Sequence, residues 1–173
     1  VGNAVVGTQL TLADGTDPGY IGKLVAKKLS GFEANVIVYD PYCPEEVIRE
    51  AGCTPVDLET LMKESDFVSI HARLTADNKG LVGEKEIGLM KKTAFLVNCG
   101  RAGLVDQDAL YNALNEKRIA GAALDVFTTE PIAADDRFAA LDNVTLTTHI
   151  AGTTTGALMN SPFLLMEDIA SYI

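Results

Sequence analysis

A chain of 173 residues, 47% hydrophobic and 22% charged, is long enough to bury a core and too apolar to be disordered. Its formal net charge of −10 argues against a nucleic-acid backbone or an anionic membrane as the primary partner. No apolar run is long enough to span a bilayer and no signal peptide is visible. The three cysteines, Cys43, Cys53 and Cys99, lack metal-site spacing and fit a reduced, cytoplasmic protein.

The first apolar stretch is broken. Ala4–Val6 and Leu10–Ala13 are separated by Gly7, Thr8 and Gln9, where the first strand of a parallel sheet is expected to be continuous. Asp14–Pro18 reads as loop, and Gly19-Tyr20-Ile21-Gly22 leads into a helix over Lys23–Leu29 that Gly31 ends. Asn35–Tyr39 is a strand closed by Asp40 and Pro41. Cys43–Gly52 is a short helix with Pro44 near its start. Thr54–Val56 is a short strand, and Asp57 caps a helix reaching Glu64. Phe67–Ile70 is a strand ending at His71, and Thr75–Gly80 is loop. Gly83–Lys92 is a helix whose Lys91 and Lys92 match its dipole.

The next strand, Ala94–Val97, turns through Asn98, Cys99 and Gly100 to Arg101, and Asp106 caps a helix reaching Lys117. Ile119–Leu124 is a strand ending at Asp125. A long loop, Val126–Asp142, carries Glu130 and Pro131. The last strand, Val144–Thr147, leads to His149, and Gly152–Ile173 is mostly helical, with Pro162 near its middle. Strands alternating with helices predict an α/β fold with a doubly wound parallel sheet. The strand ends then deliver Asp40, His71, Arg101, Asp125 and His149 to one rim, which is where such sheets bind ligands.

Gly19-x-x-Gly22 is the remnant of a Gly-x-Gly-x-x-Gly loop, whose glycines let the backbone approach a pyrophosphate resting on a helix N-terminus. Asp17 occupies the first glycine position and Pro18 removes an N–H, so the motif alone is weak. Asp40 lies 18 residues past Gly22, where an acid accepts from the ribose hydroxyls of a dinucleotide and repels a 2′-phosphate. That favours NAD over NADP. The alternative is an Asp that starts a turn before Pro41.

Arg101, Glu130 and His149 suit one chemistry. A 2-oxo acid needs its carboxylate gripped, its carbonyl polarised and a proton supplied as hydride arrives. A guanidinium does the first two and an imidazole the third, with a carboxylate to orient the ring. Taken singly, each has an ordinary reading: a surface Arg, an exposed loop acid, a strand-end His bonded to backbone.

At this point the chain resembles the D-isomer-specific 2-hydroxyacid dehydrogenases, and among them the phosphoglycerate dehydrogenase-like members. The resemblance runs from Gly19 to about Thr155. It rests on VIVYDPY (Val36–Tyr42), LVNCGRAGLVDQDAL (Leu96–Leu110), AGAALDVFTTEP (Ala120–Pro131) and TTHIAG (Thr147–Gly152). It implies a Rossmann-type domain that binds NAD, substrate binding by Arg101, support of the acid/base by Glu130, and His149 as that acid/base. It also places Asp125 near the nicotinamide amide. Gly19, Tyr20, Ile21, Gly22, Asp40, His71, Thr75, Cys99, Gly100, His149 and Gly152 fall at cofactor-lining positions.

The chain departs from the family pattern at Asp17 for a glycine, Arg73 for a proline, Ala102 for a glycine and Thr148 for a proline. Family members are roughly twice as long, which implies that most of the substrate-binding domain is absent here. The expected layout is a nucleotide-binding domain over 1–152 and a returning helical segment over 153–173. The expected partners are a small 2-oxo or 2-hydroxy acid and a second copy in a homodimer, with no nucleic acid, membrane or metal. Two other classes remain: an NAD(H)-sensing scaffold of the same fold, as in related transcriptional corepressors, and a methyltransferase-like Rossmann domain. The latter has no need of Arg101, Glu130 and His149 together.

Overall fold

Along the strand Asn35–Val38 (β2) the last three residues are all buried, but on alternate faces: Val36 and Val38 join one apolar cluster and Ile37 joins another. A strand buried on both faces belongs inside a layered α/β sheet. The computed structural model describes residues 3–9 and 20–171. Among them, β2 is joined by Asn3–Gln9 (β1), Thr54–Pro55 (β3), Phe67–Ala72 (β4), Phe95–Asn98 (β5), Gly121–Leu124 (β6) and Val144–Leu146 (β7). All pairings are parallel, in the order β3-β2-β1-β4-β5-β6-β7. The order reverses between β1 and β4, which makes that junction the topological switch point.

β1 corrects the expected break. Its residues from Ala4 to Gln9 pair in unbroken register with Phe67 to Ala72, and Asn3–Val5 pair with Asn35–Ile37. A central strand draws its hydrogen bonds from neighbours on both sides, so Gly7 and Thr8 remain in the ladder without apolar side chains of their own. The loop expected over Asp14–Pro18, and Gly19, lie outside the described residues.

The helices are Tyr20–Leu29 (α1), Glu45–Glu50 (α2), Leu58–Glu64 (α3), Glu84–Leu89 (α4), Gln107–Asn115 (α5) and Thr155–Ser171 (α6). The Asp57 side chain accepts from Thr60 N at 2.7 Å, and Asp106 accepts from Asp108 N and Ala109 N at 3.0 Å, so both expected caps form. Two helix ends differ from expectation. Gly31 falls inside a 3₁₀ turn over Ser30–Phe32, and Glu33 takes the left-handed conformation at φ 57. The helix expected over Gly83–Lys92 stops at Leu89, because Met90 is extended. Lys91 bonds Asp66 at 2.8 Å instead of serving the helix dipole.

The core lies between one sheet face and α3–α5, with Leu61, Met62, Val68, Ile87, Leu96, Leu110 and Leu114 fully buried. α5 contributes Ala109, Leu110, Ala113 and Leu114, a stripe at helical spacing. The other face is covered by α1 near β2. Over β4 and β5 no described element covers it, and Phe67 and Phe95 stack there with ring centroids 5.6 Å apart while remaining exposed. Among the described residues no helix is long and apolar enough to cross a membrane.

Candidate active site

A cleft of about 1110 Å³ runs along the carboxyl rim of the sheet. Ile21 of α1, His71 and Arg73 from β4, Cys99–Arg101 after β5, Asp125 after β6, and His149 and Gly152 after β7 line it. The order of these contributions follows the strand order.

Asn98 builds the Arg101 turn. It closes an apolar strand and is 1% exposed. Its Oδ1 accepts from Gly100 N and its Nδ2 donates to Arg101 O, both at 3.0 Å. The turn is thereby bracketed on both sides, and the exposed guanidinium projects from a fixed backbone. Nη1 donates to Gly100 O at 2.7 Å. Gly100 sits close to its neighbours: a Cβ there would lie 3.4 Å from the Ile70 and Ala72 carbonyl oxygens, in ordinary contact, and 3.3 Å from the Leu104 side chain.

His149 has a left-handed backbone, φ 59, a conformation that costs a non-glycine residue on the order of 1 kcal/mol. Asp125 holds it there. Buried at 2% exposure, its carboxylate accepts from Thr147 Oγ1 before the histidine and from Ile150 N (2.9 Å) and Ala151 N (2.8 Å) after it. On the other side, His149 Nδ1 meets Glu130 Oε2 at 2.7 Å, and Glu130 Oε1 accepts from Phe127 N at 3.0 Å. The ring is thus oriented through Nδ1, and among the described residues Nε2 has no hydrogen-bond partner. The bond from His149 and then that from the Phe127 N–H hold the Glu130 carboxyl below its ordinary range.

Burial pushes the Asp125 carboxyl up, but the bonds from Thr147, Ala151 and Ile150 outweigh it and leave it below the usual value. The sign follows. A carboxyl depressed in the fold stabilises it fully above the unfolded value of about 3.9, and loses that contribution as pH falls through the folded value. Asp125→Asn is therefore expected to cost roughly 2 kcal/mol at pH 7. In denaturant melts the gap to the parent should narrow steadily as pH falls from about 5 to 2. A gap of constant size across that range would show that the charge of Asp125 is not what holds the turn.

The other sequence-predicted residues are distributed as follows. His71 lines the cleft with Nε2 2.9 Å from Ser69 Oγ, and burial lowers its pKa, favouring the neutral ring. Burial and then the Asp125 charge push the Cys99 thiol up, so it stays protonated. Tyr20 opens α1 and Gly22 is buried in its first turn. Thr75 is exposed, does not line the cleft, and donates its N–H to Asn78 Oδ1 at 2.8 Å. Asp40 also lies off the cleft. Its Oδ1 accepts from Tyr42 N (3.0 Å) and Cys43 N (3.2 Å), the turn geometry that Pro41 suggested. A separate cavity of about 140 Å³ opens beside that turn, walled by Tyr39, Pro41, Tyr42 and Ala72. Sequence reasoning passed over Asn98 as a site residue, although an amide closing a buried apolar strand is itself a signal.

The model of the NAD-binding domain of D-isomer-specific 2-hydroxyacid dehydrogenases matches residues 17–151. The chain belongs to this family. It is 43% identical over 152 residues to D-3-phosphoglycerate dehydrogenase of Methanocaldococcus jannaschii, covering 87% of this chain and 29% of that one. It is 47% identical over 133 residues to glyoxylate reductase of Korarchaeum cryptofilum, covering 77% and 40%. Among solved structures, D-lactate dehydrogenase with NAD⁺ from Lactobacillus jensenii superposes with a TM-score of 0.82 at 31% identity, over 96% of this chain and 51% of that one. This dehydrogenase-family chain thus spans between 29% and 51% of the length of these relatives, and the part it matches is an NAD-binding domain of Rossmann type. The cofactor fits the geometry: the cleft is large enough for a dinucleotide, lies at the switch point, and has Gly100 in its lining.

Proposed function

We propose that the chain supplies the cofactor-binding and proton-handling half of an NAD-dependent 2-hydroxyacid dehydrogenase. The observation that carries this is the 2.7 Å contact of Glu130 with His149, which lines one cleft with Arg101. When bound, NAD supplies or accepts the hydride at C2 of the substrate. Arg101 grips the substrate carboxylate with two parallel hydrogen bonds. His149 Nε2 gives the proton to the C2 oxygen during reduction and takes it back during oxidation. Glu130 keeps the ring turned to the cleft, and Asp125 keeps the turn that carries it. The relatives bear the names of phosphoglycerate, glyoxylate and lactate enzymes, so the shared substrate class is a small D-2-hydroxy acid or its 2-oxo acid. We assign 1–152 to the nucleotide domain and 153–173 to a returning helix, and a second copy of the chain as partner. The NAD(H)-sensing scaffold also accommodates the exposed apolar surfaces of α6 and the sheet, and is told apart by negligible turnover even when the substrate domain of a related dehydrogenase is joined to the chain.

Titration with NADH, followed by nicotinamide fluorescence, tests the cofactor half. NADH is expected to bind about tenfold or more tightly than NADPH, because the Asp40 carboxylate repels a 2′-phosphate. Asp40→Asn keeps an oxygen for the Tyr42 and Cys43 N–H groups and removes the charge, so the preference should narrow. Equal affinities in the unsubstituted chain would remove Asp40 from the site.

A further inference from the structure

We propose that Arg73 grips the diphosphate of the bound NAD. This rests on the cofactor reading above and adds to it a residue that the glycine-loop motif does not contain. Arg73 is the first residue past Ala72, which is paired with Gln9, the last residue of β1. It therefore stands at the carboxyl end of the β1–β4 junction. In a doubly wound sheet the diphosphate of a dinucleotide crosses at this switch point. On the other side, Ile70 pairs with Asn98, so Arg73 and Arg101 are each three residues past one register pair, on neighbouring strand ends. Both line the same cleft. Arg101 faces the end marked by His149 and Asp125. Arg73 stands on the strand next to β1, and Ile21 of α1, the helix after β1, lines the same cleft.

The loop that carries Arg73 is fixed before any ligand arrives. Asn78 is 7% exposed; its Nδ2 donates to Arg73 O at 2.8 Å and its Oδ1 accepts from Thr75 N at 2.8 Å. Leu74 packs against the Arg101 turn, where a Cβ on Gly103 would meet its Cδ2 at 3.0 Å. The guanidinium itself is exposed and among the described residues has no ion pair or side-chain hydrogen bond. In a chain of net charge −10, an unpaired cation on a pinned loop at the switch point is placed to receive an anion. The phosphate-loop segment carries Asp17 in place of a glycine, which adds a negative charge to the motif that normally receives the diphosphate.

A phosphoryl group can also reach the cleft on a substrate, so the test separates the two sources. Affinities for NADH, ADP-ribose and adenosine are measured for the unsubstituted chain, Arg73→Ala and Arg73→Lys. Arg73→Ala is expected to weaken NADH and ADP-ribose about tenfold each and to leave adenosine, which lacks phosphate, within twofold. Arg73→Lys should recover part of the loss. Matching thermal melts confirm that the variants fold. Calorimetric titration with phosphohydroxypyruvate and pyruvate at saturating NADH forms the second arm. If Arg73→Ala weakens only phosphohydroxypyruvate, the anion is the substrate's and the assignment is overturned. Unchanged NADH and ADP-ribose affinities also overturn it, leaving the cofactor reading intact. If the unsubstituted chain binds neither ligand, the cofactor reading fails and the proposal falls with it.

Discussion

Replacing His149 with Asn is expected to lower 2-oxo acid reduction by about 10²–10⁴-fold, the ordinary contribution of a positioned general acid, while NADH affinity stays within about twofold. The measurement needs a closed site, so it is made on a chimera joining this domain to the substrate domain of a related dehydrogenase. The size of the effect follows from geometry. Nδ1 is committed to Glu130 at 2.7 Å, and Nε2 is left for the substrate oxygen. An Asn keeps hydrogen bonding but cannot transfer a proton. Glu130→Gln is the companion variant. The His149 bond holds the Glu130 carboxyl low, so a carboxylate charge stands 2.7 Å from Nδ1. Removing the charge should therefore move the pH profile of reduction to lower pH, with a smaller rate loss than His149→Asn. A profile that does not move would separate Glu130 from the proton path. A His149→Asn chimera that retains full turnover would place the acid elsewhere.

What the sequence made legible, and what it did not, divides along a physical line. Asp57 and Asp106 were readable as caps because capping is a local contest between a side chain and nearby N–H groups. Arg101, Asp125 and His149 were readable as one rim because parallel strands end on the same side. β1 was misread because its continuity comes from partners at Asn35–Ile37 and Phe67–Ala72, which local composition does not contain. The end of the helix after Gly83 was misread for the same reason: Lys91 is engaged by Asp66, 25 residues earlier. The role of Asp125 is the most instructive case. From sequence it was an acid beside the nicotinamide. The structure spends its carboxylate on Thr147, Ile150 and Ala151, and that bracing decides where His149 stands. Asn98 does the same for Arg101. Such supporting groups carry no sequence signal beyond being polar where the pattern is apolar.

The 173 residues on their own are expected to bind NADH, to reduce 2-oxo acids far more slowly than an ordinary enzyme, and to self-associate. Hydride transfer needs the oxo acid held about 3–3.5 Å from the nicotinamide and water excluded. The cleft lined by Arg101 and His149 is open, with both side chains exposed, so an oxo acid held there stays in contact with water. In the same chain, apolar surface is uncovered on two elements. α6 exposes Leu158 (65%), Met159 (66%), Phe163 (64%), Leu165 (60%), Met166 (63%) and Ile169 (52%). The sheet exposes the stacked pair Phe67 (51%) and Phe95 (41%), above a groove lined by Val97 and Ala123. A contiguous apolar patch of more than a few hundred Å² is rarely left in water, and a second copy offers the same two surfaces in return. The check is a steady-state assay with pyruvate, hydroxypyruvate and phosphohydroxypyruvate, run beside sedimentation of the same sample. Replacing Phe163 and Met166 together with Glu should return the sample to monomer and leave NADH affinity unchanged, since neither residue lines the cleft. Turnover on the order of 10 per second from a strictly monomeric sample would mean that no second domain is needed to close the site, and that the open rim lined by His149 and Arg101 is not the place where the chemistry occurs.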